Sequence, residues 1–203
     1  MGLISNGTTL LDAGALDSGL ATGAMTLLAT NTLGSPAANI SFTSGINSTY
    51  KEYVFKIINV HPATNNQRLT VNFRDGSTAY DATKTTTVFT AYHTENDNEA
   101  AVEYITSQDL AQATGDQPII VGAISTDNDS SGCGTLQLFD PSSTTFVKHF
   151  IFRGSSVQET GPALASNSFV AGYCNVTAAI DGVQFKFVSG NIDSGTIKMY
   201  GIK

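Results

Sequence analysis

Alternation of apolar and polar residues with a period of two is the sequence feature that most limits the fold. Between residues 67 and 74, Leu69, Val71 and Phe73 alternate with polar residues. Successive side chains of a strand point to opposite faces, so this pattern predicts a sheet with one buried and one wet face. Similar runs recur along the chain and amount to roughly nine or ten strands, a number typical of sandwiches and jelly rolls. We therefore expect an all-β protein, a jelly-roll-like antiparallel β-sandwich with an extended N-terminal arm.

The composition agrees with many strands and loops. Charged residues make up only 13% of the chain, against roughly a quarter in an average protein. Thr, Ser, Asn and 19 glycines take their place; Thr suits strand surfaces, while Asn and Gly suit turns. The formal net charge of −7 repels phosphate backbones, so we expect no nucleic-acid partner.

The chain divides near residue 37 into an arm, residues 1–36, and a β-sandwich domain, residues 37–203. The arm carries little charge, and Gly14, Gly19 and Gly23 would weaken a helix there. We interpret it as an extended or partly stranded docking arm that needs a partner to bury its leucines: its own sandwich, a neighbouring subunit or a docking platform. The residues expected to dock are Leu3, Ile4, Leu10, Leu11, Leu16 and Leu20. An ordinary first strand followed by a loop is the alternative interpretation.

The sequence allows four further predictions. Residues 99–113 are interpreted as a short helix or a long loop, and residues 154–166 as a loop. Cys133 and Cys174 lie in apolar alternations without a CxxC neighbour, so we expect two reduced, buried thiols; a disulfide is the alternative. The first residues lack a basic start, and no stretch of about 20 apolar residues occurs. We therefore expect cytoplasmic synthesis and no membrane association.

Motifs that mark catalytic or cofactor sites are missing from the sequence. There is no GxSxG, GxxxxGK[ST], GxGxxG or HExxH, so we expect no catalytic residues and no cofactor. His61, His93 and His149 are far apart in sequence and are interpreted as structural. Paired carboxylates for glycoside hydrolysis stay open, because acids distant in sequence can meet in space. The absence of Trp argues against carbohydrate cleavage.

One loop has a partial calcium-binding pattern. Asp127, Asp129 and Ser131, followed by Gly132, resemble the front half of an EF-hand loop. The position of the bidentate glutamate is occupied by Leu138, so the three residues are only a weak metal candidate. A calcium ion shared with the acidic turn at 95–99 is one hypothesis, and an acidic solvated turn is the preferred one.

Five segments resemble small virion-associated proteins of tailed bacteriophages that infect marine bacteria. They are residues 185–203 (FKFVSGNIDSGTIKMYGIK), 48–53 (STYKEY), 58–64 (INVHPAT), 140–149 (DPSSTTFVKH) and 4–9 (ISNGTT). The resemblance extends over nearly the whole chain, and its motifs are structural. It implies a virion structural protein exposed on the particle surface and assembled in the host cytoplasm, with no catalytic residues.

Three functions follow as hypotheses. The first is a capsid decoration or cement protein that docks on the major capsid protein through residues 1–36. The second is a tail-fibre or receptor-binding module that reads the host surface through loops 93–116 and 154–166 and contacts other tail components. The third is a glycan-degrading enzyme. We also expect a homo-oligomer, a trimer, because closed symmetry buries sheet edges.

Overall fold

The computed structural model describes residues 3–5, 8–12, 15–16, 24–158 and 161–203. This part of the chain contains strands and one short 3-10 helix, Thr106–Gln108, but no α-helix. Nowhere in it is a helix of the length and apolar character needed to cross a bilayer. In chain order, the strands are β1 (Leu3–Ser5), β2 (Thr8–Asp12), β3 (Ala15–Leu16), β4 (Met25–Thr32), β5 (Ile40–Phe42), β6 (Glu52–Pro62), β7 (Leu69–Arg74), β8 (Lys84–Thr94), β9 (Ala100–Tyr104), β10 (Gln117–Pro118), β11 (Gly132–Phe139), β12 (Lys148–Gln158), β13 (Leu164–Cys174), β14 (Gly182–Phe187) and β15 (Ile192–Ile202).

The strands form three antiparallel sheets. The large sheet has the order β4-β15-β6-β11-β12-β13-β8-β9, and the smaller one has the order β10-β7-β14-β5. These two pack face to face as a sandwich, which confirms the prediction of an all-β antiparallel fold; its jelly-roll character stays a prediction. A third sheet, β1-β2-β3, is separate: among the described strands, its members pair only with one another.

Aromatic side chains from both sheets fill the space between them. Phe55 of the large sheet lies 5.3 Å from Phe42 and 5.6 Å from Phe185 of the small sheet, measured between ring centroids. Phe73 and Phe150 meet in the same way at 4.9 Å. All five rings are at most 3% exposed. Alternate residues of most strands supply this core, so the period of two in the sequence arises from the face that each sheet turns to the other. In β7, Thr70 and Asn72 on the opposite face are buried as well.

The large sheet has twice as many strands as the small one, and its inner face changes character along its width. Towards β8 and β13 many of the buried inward side chains carry hydroxyl groups, namely Thr86, Thr90, Ser166 and Ser168, alongside Val88 and Val170. This explains a wrong prediction: residues 154–166 are not one loop, because β12 runs on to Gln158 and β13 begins at Leu164. Small hydroxyl side chains on the buried face hide the apolar alternation on which the prediction relied.

Two other segments differ from expectation. Residues 100–104, interpreted as helix or loop, form β9 at the edge of the large sheet, where most side chains are exposed and no apolar face is required. Residues 25–32 form β4, which pairs with β15 along its length. That strand therefore belongs to the sandwich, although the sequence pattern places it in an arm ending at residue 36.

Both cysteines are free thiols. Cys174 is fully buried as predicted, but Cys133 is only half-buried, because it points from β11 to the outer side of the sheet. Its sulfur lies 3.2 Å from Asn59 Oδ1. Cys174 is flanked by two buried lysines, since Lys84 and Lys148 are its direct neighbours on β8 and β12.

Candidate functional site

Two hairpin ends meet at one end of the large sheet. The turn between β8 and β9, residues 95–99, lies beside the connection between β12 and β13, because β8 and β13 are neighbours with Thr94 opposite Leu164. The backbone N–H of Glu95 donates to the carbonyl of Ala163 at 2.8 Å. The two segments expected to read a host surface, 93–116 and 154–166, are therefore adjacent in space.

The first of these turns is held by its own polar side chains. Thr94 Oγ1 accepts a hydrogen bond from the backbone N–H of Glu99 at 3.0 Å and donates to its carbonyl at 3.1 Å. Asp97 has a positive φ of 59°, a conformation that short polar residues tolerate. Its carboxylate lies 2.9 Å from His93 Nε2. These contacts fix the turn after which the return strand β9 begins at Ala100.

Two carboxylates converge on one hydroxyl beside this turn. Tyr92 Oη donates to Glu99 Oε1 at 2.8 Å and lies 3.4 Å from Glu103 Oε1. Glu103 is opposite Thr90 in the β8–β9 ladder, so all four side chains lie on the inner side of the sheet. The hydrogen bond to Glu99, reinforced by burial and the negative charge of Glu103, raises the pKa of Tyr92 to about 12.

The opposite wall comes from the small sheet and the segment that follows β10. Arg68 lies just before β7, and its Nε donates to the carbonyl of Val121 at 2.9 Å. The N–H of Val121 donates to Ser168 Oγ at 2.8 Å, which fastens the segment to β13. A Cβ on Gly122 would approach Ser166 Oγ to 3.1 Å, so glycine allows the backbone to lie close to the sheet.

Between these walls lies a cavity of about 360 Å³. That volume is near the lower end of the range of about 300–1,000 Å³ typical of small-molecule pockets. Gln108, at the end of the 3-10 helix, also lines it, and its Oε1 is buried without a hydrogen-bond partner among the described residues. Apolar contacts come from Ile105 and Leu164. We call this cavity the hairpin cleft.

The hairpin cleft separates opposite charges. The ion pairs of the described chain do not involve Arg68, Glu99 or Glu103, although all three line the cavity. The arrangement offers hydrogen-bond donors on one wall and acceptors on the other. A pair of carboxylates in one cleft is also the minimum that a glycosidase needs. The enzyme hypothesis thus keeps a candidate location, and the absence of catalysis stays a prediction.

The loop with the partial calcium pattern is built as a turn. Asp127 Oδ2 accepts a hydrogen bond from Ser125 Oγ at 3.1 Å, and the Asp127 carbonyl accepts one from the N–H of Ser130 at 2.9 Å. Asp129 is exposed and Ser131 is half-buried. In the part of the chain that the structure describes, no three His, Cys, Asp or Glu side chains are grouped as metal ligands.

The predicted docking residues fall on the separate N-terminal sheet. Leu3 and Ile4 lie in β1, Leu10 and Leu11 in β2, and Leu16 in β3, whereas Leu20 lies outside the described residues. The Ile4 side chain is 61% exposed. Among the described strands, β1, β2 and β3 pair only with one another, and docking through these residues stays a prediction.

Aromatic residues on the outer face of the large sheet form a feature that sequence reasoning missed. The rings of Phe89 and Phe169 stack at 4.5 Å with an angle of 5°, and the Arg153 guanidinium lies 5.1 Å from the Phe169 centroid. The available signal was their parity, since each immediately follows or precedes a buried valine, Val88 or Val170. The wall of the hairpin cleft that contains Arg68 and Gln108 had no comparable signal, because these residues come from segments distant from the hairpin in sequence.

Comparison of the chain with models of known protein families and with curated proteins finds no match. The resemblance of its segments to phage virion proteins therefore remains a prediction.

Proposed function

We propose that the protein is a structural component of the surface of a tailed-phage particle, a capsid decoration protein docked through its N-terminal strands. The observation that carries this proposal is the separate sheet β1-β2-β3, which adds no strand to the sandwich. A segment of this kind gains stability only when another surface covers its apolar side chains, because three very short strands bury little by themselves.

The docking step is tested with two matched substitutions in the full chain. Ile4 is 61% exposed on β1, and Val188 is 60% exposed between β14 and β15. Ile4→Asp should reduce incorporation into particles, because a charge at the interface would be desolvated without a partner. Val188→Asp should leave incorporation unchanged. Incorporation is measured by mass spectrometry of purified particles, and equal incorporation of the two variants would refute docking through β1.

Copy number separates head from tail. A decoration protein should occur in a constant ratio to the major capsid protein, whereas a tail fibre should occur in a constant ratio to tail proteins. Quantitative mass spectrometry of intact particles and of isolated heads gives both ratios. Recovery with tails alone would overturn the decoration proposal in favour of the second candidate below.

Self-association is part of the proposal. The edge strand β9 carries Val102, 75% exposed, and Tyr104, 57% exposed. Closed symmetry would cover such an edge, and a trimer is the state that we propose. Sedimentation equilibrium of the full chain measures it, and a monomer at particle-like concentrations would refute it.

The second candidate function is receptor binding at a tail tip. The specific observation in its favour is the hairpin cleft, which lies where two connecting segments meet and combines Arg68 with Glu99 and Glu103. Loops positioned by a rigid scaffold are a common place for recognition. Under this candidate, particles carrying Glu103→Gln should adsorb more slowly to host cells, with unchanged protein content.

A further inference from the structure

We infer that the hairpin cleft binds one ring of a neutral, hydroxyl-rich ligand, that is, a saccharide unit. The inference deepens the receptor-binding candidate and rests on it for its biological role. It concerns Arg68, Tyr92, Glu99, Glu103 and Gln108, which line the same cavity.

Hydrogen-bond donors line one wall of the cleft, and acceptors line the other. Arg68 uses its Nε for Val121, which leaves the two Nη groups as donors, because a guanidinium carries five N–H bonds. On the other wall, the carboxylates of Glu99 and Glu103 are acceptors only. A hydroxyl group both donates and accepts, so a ring bearing several hydroxyls serves both walls at once.

The side chains that line the cleft carry both signs of charge. A cationic ligand would match the two glutamates but would face Arg68, and an anionic ligand would match Arg68 but face the glutamates. A neutral polar ligand meets neither repulsion, and each of its hydroxyls can form a charge-assisted hydrogen bond, the stronger kind.

The size and the fixed shape of the cavity also favour a single ring. Its volume of about 360 Å³ suits a single ring more than a chain. Ile105 and Leu164 supply apolar surface for the C–H groups of a sugar ring. The Tyr92 hydroxyl donates to Glu99 at 2.8 Å and lies 3.4 Å from Glu103, and the Thr90–Ser166 hydroxyl pair at 3.1 Å lies beneath them. The acceptors are thus positioned before any ligand arrives, which lowers the entropic cost of binding.

The test is an NMR titration of the full-length, ¹⁵N-labelled chain with separate probes. The neutral probes are D-glucose, D-galactose, D-mannose and N-acetyl-D-glucosamine; the charged ones are the dication putrescine, the anion D-glucuronate and the zwitterion glycine. At least one neutral sugar should produce saturable shifts of the Glu103, Gln108 and Leu164 amide signals. Saturation by a charged probe alone, or by none of the seven, would overturn the inference.

Variants locate the binding and separate it from folding. Glu103→Gln and Arg68→Gln should each weaken the binding of the sugar at least about 10-fold, the loss of affinity expected for one hydrogen bond to a charged group. Glu95→Gln makes the same charge change on the same hairpin but outside the cavity lining, and should bind like the original chain. Unchanged affinity in both cleft variants would also overturn the inference.

Failure of the inference and failure of the receptor role give different results. If isolated protein binds a sugar and particles carrying Glu103→Gln adsorb normally, the cleft is a saccharide site and receptor binding is wrong. If adsorption slows but no neutral sugar binds the protein, receptor binding stands and the saccharide inference is wrong.

Discussion

Gly134 lies directly opposite Gly154 in the β11–β12 ladder, and the ring of Phe152 occupies the space that their side chains would fill. A Cβ at either glycine would collide with Phe152 Cζ. Phe152 is itself only 1% exposed, so its ring has little room to move away. An aromatic ring over paired glycines covers the backbone that glycine leaves open, a known way of compensating glycine in strands.

Alanine at either glycine should therefore destabilise the fold by overpacking. We expect Gly134→Ala and Gly154→Ala each to lower the free energy of unfolding by about 1–3 kcal/mol. Gly34→Ala is the control, because a Cβ there has no neighbour within 4 Å, and it should change stability by less than about 0.5 kcal/mol. Urea denaturation measures all three, and full stability of Gly154→Ala would show that Phe152 repacks freely.

Lys84 makes the free energy of unfolding change with pH in the alkaline range. Its side chain has no exposed surface, and Nζ donates to the carbonyl of Ala82 at 2.8 Å. Burial lowers the pKa of Lys84 from its ordinary 10.5, against weaker opposing effects from nearby thiol and carboxyl groups. Between the lowered folded pKa and the unfolded value, the unfolded state binds more protons, so Lys84 makes the free energy of unfolding rise with pH.

Substitution of Lys84 by methionine should remove that contribution. From about pH 7 to pH 10, the free energy of unfolding should rise less for Lys84→Met than for the original chain. The difference should be about 1.4 kcal/mol for each unit by which folding lowers the pKa of Lys84. Burial raises the pKa of Cys174 to about 12, which acts in the opposite direction, so the comparison uses the difference between the two proteins. Lys51→Met, at an exposed lysine, is the control. A difference that does not grow with pH would contradict the prediction.

The two thiols should react differently with a thiol reagent. Cys174 is fully buried and its pKa is raised to about 12, so little reactive thiolate forms. We expect the native protein to release one equivalent of chromophore from Ellman's reagent, and the protein unfolded in guanidinium two. Cys133→Ser should abolish the native reaction. A native reaction that persists in Cys133→Ser would place Cys174 within reach of solvent.

The true start of the sandwich is tested by two truncations. Leu28 and Leu33 pack against the core, and Thr32 Oγ1 lies 2.9 Å from Thr196 Oγ1 across the β4–β15 pair. Removal of residues 1–36 should therefore lower the free energy of unfolding by at least about 2 kcal/mol, the value of burying one large apolar side chain. Removal of residues 1–23 should change it by less than about 0.5 kcal/mol. Equal stability of the two truncated chains would show that the sandwich domain begins after residue 36, as the sequence pattern predicts.

Sequence reasoning succeeds where a strand has one apolar face. Val183, Phe185 and Phe187 are buried as their alternation predicts, and β14 runs from Gly182 to Phe187. It fails where the buried face consists of hydroxyls, as at Ser166 and Ser168, since such strands have the composition of a loop. The hairpin cleft as a whole could not be predicted either, because strand order is a long-range property that local patterns do not encode.

One local signal for the hairpin cleft did exist. The turn at 95–99 between two β-compatible segments implies a hairpin, and hairpin pairing would bring Glu99 and Glu103 to the same side as Tyr92. This signal does not predict the opposite wall of the cleft. Arg68 lies there because β7 belongs to the other sheet, and Gln108 because the 3-10 helix borders the cavity. Prediction of half of the site was therefore possible, and the charge opposition was not.

The raised pKa of Tyr92 offers a direct measurement of the carboxylate pair in solution. Of the causes that raise it to about 12, the hydrogen bond to Glu99 is the largest, and the contribution of Glu103 is smaller. Glu99→Gln should therefore bring the pKa of Tyr92 down towards the ordinary value near 10, and Glu103→Gln should bring it down less. The pKa is read from ¹³Cζ tyrosine signals in an NMR titration from pH 8 upwards, with Tyr92→Phe to assign the signal. Glu95→Gln controls for the loss of one negative charge on the same hairpin and should leave the titration in place. If Glu103→Gln lowered the pKa more than Glu99→Gln, the Tyr92 hydroxyl would donate chiefly to Glu103, and Glu99 would be the carboxylate more open to a ligand.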